Sequence, residues 1–344
     1  MTDIDAMLSP YIQAVEREIQ RRVPPTEGGY CGFYGMLHYH LGWANADFEP
    51  EVGPRGKRIR SALCLLTCEA LRGDFVPALP AAAAVELLHE FSLVHDDIED
   101  GDRERRHRPT VWANWGKAQA INAGDGLYAL AQLALLGLSE HNLPPDLILK
   151  AQQRFNETAV RLCQGQFLDI SFERRPMVGP DEYLAMISGK TAALVGCAVE
   201  LGGLVAGASA DDLAALQTFG EALGLAFQMR DDLLGLWGDP QRTGKPAGND
   251  IRKRKKSLPV MVALAGEGPA SACLREIYAR RTLDDRAVAE ALALIAQTGA
   301  RDQVHTLAYH ESERALAALD RLSVPAERLA PLRTLAEALL ERDY

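Results

Sequence analysis

The chain has 344 residues, of which 47 % are hydrophobic and 24 % charged, and its formal net charge is −10. That length can bury a large core, and the acidic balance argues against a general binder of nucleic acid or anionic membranes. Aromatic residues make up only 6 %, while Ala and Leu dominate, which favours helices over sheets.

The first residues, MTDIDAMLSP, are acidic and lack the basic-then-apolar order of a signal peptide. Residues 1–50 are expected to form N-terminal helices and a variable loop. GPRGKRIRSAL places Lys57, Arg58 and Arg60 just ahead of an apolar helix, and LCLLTCEALRG ends that helix in a glycine suited to a C-cap. Pro77 or Pro80 can open the next one, PAAAAVELLHEFSLVHDDIED, a long and very apolar helix with an acidic end. Further helices are predicted over about 113–139, 145–171, 182–206, 211–237, 256–266, 271–281, 283–298, 300–321 and 325–342. ERRPMVGP, WGDPQRTGKPAGND and GEGPAS read as loops. Cys31, Cys64, Cys68, Cys163, Cys197 and Cys273 show no paired spacing and read as reduced thiols. No apolar run is expected to reach membrane-spanning length, because Asp125 and Glu200 interrupt the strongest candidates. The expectation is one all-α domain over residues 1–344, a single large helical bundle in a soluble, cytoplasmic protein.

Two stretches carry the chemistry. SLVHDDIEDGDRERRHRPTVW sorts its charges into an acidic block and then a basic one, and FQMRDDLLGLWGD closes a second apolar helix with Asp231 and Asp232. Two Asp pairs on two such helices predict a facing arrangement inside a bundle. On a helix Asp96 and Asp100 share one face, about 5–6 Å apart, where like charges destabilise each other unless a cation intervenes. Mg²⁺ suits that task, since it takes a few carboxylates and completes its shell with water and phosphate oxygens. A Ca²⁺ loop does not fit, because Ile98 or Asp102 falls where such a loop needs an acidic residue or a glycine. Lys57, Arg58 and Arg60 precede the first block, Arg105 and Arg106 follow it, and Lys245, Lys255 and Lys256 follow the second. Such residues are the expected phosphate ligands. The bland alternative for the acidic block alone is a solvated helix end.

Taken in order, these motifs resemble the head-to-tail trans-isoprenyl diphosphate synthases, or polyprenyl synthetases, from about Gly53 to the terminal ERDY. The resemblance rests on Gly56-Lys57-Arg58-Ile59-Arg60, His89, HDDIED with Arg105-Arg106 and RPT, Lys190-Thr191, and FQMRDD with its trailing lysines. It implies an all-α bundle around a central apolar cavity, a homodimer, and condensation of isopentenyl diphosphate with an allylic diphosphate. Three Mg²⁺ ions are implied. Asp96 and Asp100 on one side and Asp231 on the other would ligate them, with Asp97 and Asp232 supporting and Asp232 counted among the metal ligands. Arg105, Lys245, Lys190 and Lys255 would hold the allylic diphosphate. Lys57, Arg60, His89 and Arg106 would hold isopentenyl diphosphate, while Gln228 and Thr191 would line the carbocation path. The sequence departs from the family at Gly235, where many relatives have a third Asp and Asp239 is a candidate substitute, and at His107, where RRG has become Arg105-Arg106-His107.

Within the family, the residues four and five places before the first Asp set product length. Here they are Ser92 and Phe91, a small residue and a single aromatic, which resembles geranylgeranyl-type synthases. Farnesyl or longer products are the alternative, and Phe91 packing in the helix core is the bland reading. His89 could equally be a satisfied helix histidine. Asp125 reads as a structural or dimer contact, and Trp112 and Trp115 as packing. The rival functions are a class I terpene cyclase, against which the second-diphosphate cations argue, a non-catalytic partner subunit, and a helical scaffold.

Overall fold

The computed structural model describes residues 3–173, 175, 177–238, 248–252, 254–280 and 282–340. Among them the regular structure is helical apart from a hairpin of two-residue strands, and the all-α expectation holds. The helices are α1 (Asp3–Arg22), α2 (Cys31–His40), α3 (Ile59–Arg72), α4 (Leu79–Glu99), α5 (Val111–Trp115), α6 (Lys117–Leu136), α7 (Pro145–Glu173) and α8 (Pro180–Ile187). After a π-helical turn at Ser188–Ala192 come α9 (Ala193–Ala206), α10 (Ala210–Trp237), α11 (Asn249–Arg252), α12 (Leu258–Ala265) and α13 (Pro269–Ala279). The last three are α14 (Asp285–Gln297), α15 (Ala300–Leu319) and α16 (Ala326–Leu340). The residues form two compact units, one of Met1–Ala159, Cys197–Leu213 and Val324–Leu332, the other of Val160–Gly196, Ala214–Ser323 and Arg333–Tyr344.

The first unit is organised around α4. Ala81 to Val85, Leu87 and Leu88 are all fully buried, as a helix apolar on every side must be. Each such Leu contributes up to about 1.5–3 kcal/mol by leaving water, an upper bound given a partly compact unfolded chain. Helices α1, α3 and α6 pack around it. Pro80 opens α4, as expected, and Pro77 opens the short 3₁₀ turn before it. Gly73 closes α3 with φ +88, the left-handed conformation a glycine C-cap supplies. Gly202 of α9 lies so close to α3 that a Cβ there would sit 2.2 Å from the Cys64 carbonyl oxygen. Cys64, Cys68 and Cys197 are buried free thiols, and burial raises the thiol of Cys68 to about 12.

The second unit has its own core, built from α8, α10 and α12–α15 around Tyr183, Met186, Leu233, Met261, Ile277 and Ile295. One sequence expectation needs correction. Pro180–Ala206 is long and apolar enough to cross a membrane by length and composition, but 67 % of its most apolar window is buried inside the protein. A core helix passes the same test as a membrane span.

Candidate active site

In the first unit, the acidic motif forms the last turn of α4. Gly101 at φ +68 terminates the helix, with the Asp100 N–H on the Asp96 carbonyl at 2.8 Å and the Asp102 N–H on the Asp97 carbonyl at 3.0 Å. Negative side chains are misplaced at this end, where the helix dipole is already negative, by about 0.3–1 kcal/mol each. The basic block answers them. Strands β1 (Glu104–Arg105) and β2 (Arg108–Pro109) pair antiparallel, and the hairpin folds Arg105 back so that Nε donates to Asp97 Oδ1 at 2.7 Å and Nη2 reaches Asp96 Oδ2 at 3.5 Å. Of the basic block, Arg105 thus pairs with the acidic block itself, while Arg106 reaches Glu90 and Arg108 reaches Glu51.

The two aspartates differ. Asp97 is buried at 2 % exposure, and burial pushes its carboxyl above the ordinary 3.8 even against the Arg105 charge. Asp96 keeps 20 % of its side chain open, and Asp100, one turn on, is exposed. Mg²⁺ needs only one or two carboxylates if water and phosphate oxygens fill its octahedron, and Asp96 with Asp100 meets that requirement. Among the described residues no three His, Cys, Asp or Glu side chains converge on a preformed centre.

The diphosphate-binding candidates of this unit lie on three segments. Lys57 is exposed, and Arg60 Nη1 lies 3.3 Å from His89 Nε2. Burial, together with the Arg60 charge, holds His89 well below its ordinary 6.5, so its imidazole is neutral at pH 7. Arg106, in the hairpin turn, donates through Nη2 to Glu90 at 3.2 Å. Phe91 is half-buried with its ring 4.8 Å from His95 and 5.3 Å from Tyr128, and the Ser92 hydroxyl donates to the His89 carbonyl at 2.7 Å. Trp112 donates to the Asp102 carbonyl, Trp115 packs on Tyr39 and Phe48, and Asp125 is an exposed partner of His95; all three are structural.

In the second unit, the Ser188–Ala192 π turn carries Lys190 and Thr191. Such bulges recur at functional sites, and nothing in the helical periodicity of the sequence signals this one. It is held by close packing, since a Cβ on Gly165 of α7 would sit 2.2 Å from the Lys190 backbone nitrogen. Lys190 pairs with Asp169 of α7, a residue the motifs did not single out. The Thr191 hydroxyl donates to Gln228 Oε1 at 2.9 Å, and Gln228 Nε2 donates to Asp232 Oδ1 at 3.1 Å.

Asp232 was expected among the metal ligands, and here the structure differs. At 1 % exposure, it accepts from the Tyr183 hydroxyl, the Leu258 N–H at 3.0 Å and Gln228. Burial raises its carboxyl, with the Lys255 charge opposing. Its oxygens are committed to protein donors, and the residue ties α8, α10 and α12 together, while its neighbour Asp231 is half-buried. Lys255 is exposed, and Lys256 instead donates to the Phe172 and Arg175 carbonyls. Lys245 and Asp239 lie outside the described residues.

Removing the Tyr183 hydroxyl strips a donor from a buried carboxylate. Tyr183→Phe should lower unfolding free energy by about 1–3 kcal/mol, read from the denaturant midpoint; an unchanged midpoint would show that Asp232 does not depend on that bond.

A family model described as polyprenyl synthetase matches residues 43–295. The geranylgeranyl diphosphate synthase of Mycobacterium tuberculosis is 46 % identical over 287 residues, covering 83 % of this chain and 80 % of that protein. The (2E,6E)-farnesyl diphosphate synthase of Mycobacterium bovis is 40 % identical over 311 residues, covering 89 % and 85 %. Among solved structures, the polyprenyl synthetase from Streptomyces coelicolor A3(2) superposes with a TM-score of 0.90 at 37 % identity, covering 98 % of this chain and all of that one. With its aspartate-rich turns and arginine partners in the order that the motifs require, this chain belongs to the polyprenyl synthetase family.

Proposed function

We propose that the protein is a short-chain trans-prenyltransferase that condenses isopentenyl diphosphate with an allylic diphosphate, giving geranylgeranyl diphosphate. The observation that carries this reading is the acidic last turn of α4, where Asp96 and Asp100 remain accessible while Asp97 is sealed onto Arg105. Asp96, Asp100 and Asp231 would hold Mg²⁺, which supplies positive charge to the diphosphate leaving group of the allylic substrate. Arg105, Lys190 and Lys255 add fixed charge for the same group, with Lys190 exchanging Asp169 for phosphate oxygen. Lys57, Arg60 and Arg106 hold the second diphosphate, beside a neutral His89 able to donate or accept one hydrogen bond.

Scission of the allylic C–O bond sends its electron pair to diphosphate and leaves an allylic cation. The double bond of isopentenyl diphosphate attacks that cation to form the new C–C bond, and a proton then leaves the adjacent carbon for the departing diphosphate. Thr191 and Gln228, already bonded to each other, present oxygen dipoles to the positive charge, and apolar helix walls exclude the water that would quench it.

Purified protein with Mg²⁺, isopentenyl diphosphate and allylic diphosphates of increasing length should yield a geranylgeranyl-sized product by chromatography. Cyclisation without isopentenyl diphosphate would favour a terpene cyclase, and no turnover with any starter a partner subunit. Asp96→Asn should lower kcat at least about 10²-fold with the melting temperature unchanged; retained activity would remove Asp96 from the metal set. For product length, Phe91→Ala should open the space beside Tyr128 and lengthen the chain, and an unaltered product profile would refute that role.

We also infer a homodimer. Ile121, Leu133 and Leu136 of α6 are 46 %, 59 % and 49 % exposed, and Leu149 of α7 is 68 % exposed, large apolar side chains that a subunit interface would remove from water. Leu133→Glu combined with Leu149→Glu should halve the mass in solution measured by light scattering, and an unchanged mass would place the interface elsewhere.

A further inference from the structure

Glu90 and Arg58 have no role in the reaction as described, yet they form one cluster with Arg106. Glu90 sits on α4, six residues before Asp96, with a side chain that is 0 % exposed. An ionised carboxylate in that position survives only if it is matched by charge and hydrogen bonds. Three segments supply the match. Arg58 Nη1 approaches Oε1 at 2.5 Å, Arg106 Nη2 lies 3.2 Å from the same oxygen, and His40 Nε2 at the end of α2 lies 2.9 Å from Oε2. Burial pushes the Glu90 carboxyl up, but His40, Arg106 and Arg58 outweigh it and hold the group well below the ordinary range. Arg58 is bound a second time by Glu86, at 2.9 Å.

The backbone makes this more than an ion-pair count. Arg58 has φ +53, and Arg106 and His107 have φ +54 and +61. Non-glycine residues rarely adopt this left-handed region, and they remain there only where their surroundings over-determine them. Arg106 and His107 are the two central residues of the hairpin turn, a position that favours Asn-Gly or Gly-Gly. Two of the strained residues thus have side chains ending on the same carboxylate. Gly56 lies against them as well, since a Cβ there would meet Arg106 Nη2 at 2.9 Å. The strained segments also carry Lys57 and Arg60 on one side and Arg106 on the other, the cations assigned above to the second diphosphate.

We propose that Glu90 is a positioning residue that fixes the segment before α3 and the Arg105–His107 turn, holding Arg58, Arg106 and His107 in the left-handed conformations that aim Lys57, Arg60 and Arg106 at isopentenyl diphosphate. The carboxylate need not touch substrate. Both of its contacts with Arg106 use Nη2, so the carboxylate does not take the arginine's fork as a bidentate pair, and 21 % of that side chain faces solvent. On the other side, Arg58 is consumed as an anchor so that Lys57 and Arg60, its neighbours, are held at a set angle. The proposal rests on the functional reading above, because it takes the substrate of these cations from it.

The test is a substrate-selective kinetic split. Glu90→Gln keeps the shape and removes the charge. It should raise KM for isopentenyl diphosphate about tenfold, leave KM for the allylic diphosphate and kcat within about twofold, and be partly rescued in Glu90→Asp. A purely structural glutamate would change both KM values together or neither, and either result overturns the proposal. Should Glu90→Gln not fold, Gly56→Ala crowds Arg106 Nη2 at 2.9 Å while leaving the carboxylate's charge in place, and should give the same selective rise; an unselective one counts against it. Calorimetric Kd values for isopentenyl diphosphate separate this inference from the function. Wild-type binding without turnover, weakened about tenfold in the variant, would sink the synthase reading and keep Glu90's role. Wild-type turnover with an unchanged Kd in the variant would do the reverse.

Discussion

Helix α4 carries five carboxylates, and all but the exposed Glu99 (Glu86, Glu90, Asp96 and Asp97) lie on a largely apolar rod whose core-facing residues are fully buried. Such a rod can be packed only if cations from elsewhere in the chain reach each charge. Arg58 meets Glu86 and Glu90, Arg106 meets Glu90, and Arg105 meets Asp97 and Asp96. Those three arginines lie on the loop before α3 and on the hairpin after α4, so neutralising α4 also determines where both loops go. Buried ion pairs often stabilise no better than apolar residues of similar volume. What they contribute here is geometry: each loop is held at a defined side chain rather than by a diffuse apolar contact.

The second unit solves the same problem with neutral donors. Asp232 is sealed by a tyrosine hydroxyl, a glutamine amide and a helix N-terminal N–H. The glutamine passes the constraint on to Thr191 in the π turn. That turn sets the position of Lys190, which faces Asp169 rather than water alone. In both units, then, a buried aspartate anchors the frame while the residue before it stays accessible. The chemistry proposed for Asp96 and Asp231 depends on that division, because a carboxylate committed to protein donors has little left to offer a metal.

Much of this was legible in advance. The apolar run from Ala81 to Phe91 could only be a buried helix, and Gly73, Pro77 and Pro80 act where their backbone preferences put them. The order of motifs identified the family, whereas the acidic-then-basic sorting, read as metal and phosphate ligands, also pairs locally, with Arg105 on Asp97. Other features left no mark in the periodicity. The left-handed Arg58 sits inside a motif that reads as a simple run of phosphate ligands, yet its side chain never leaves the protein. Glu90 looks like any polar residue on a helix. The π turn, Asp169 and the sealing of Asp232 by Leu258 depend on partners far away in sequence, which patterns over three or four residues cannot report.

The two Asp-Asp pairs mark the boundary between the two kinds of information. Consecutive helical residues point about 100° apart, so a pair on a buried helix must send its members to different surroundings, and the amino-acid order alone dictates that one of each will differ from the other. It also dictates the helices, the charge sorting and the family. Which member turns inward was decided only by packing: the core of each unit lies on the side of Asp97 and of Asp232, where Arg105 and Tyr183 wait for them. The surroundings of each pair exist only once the helices of its own unit have packed, because they are made of residues from several elements at once.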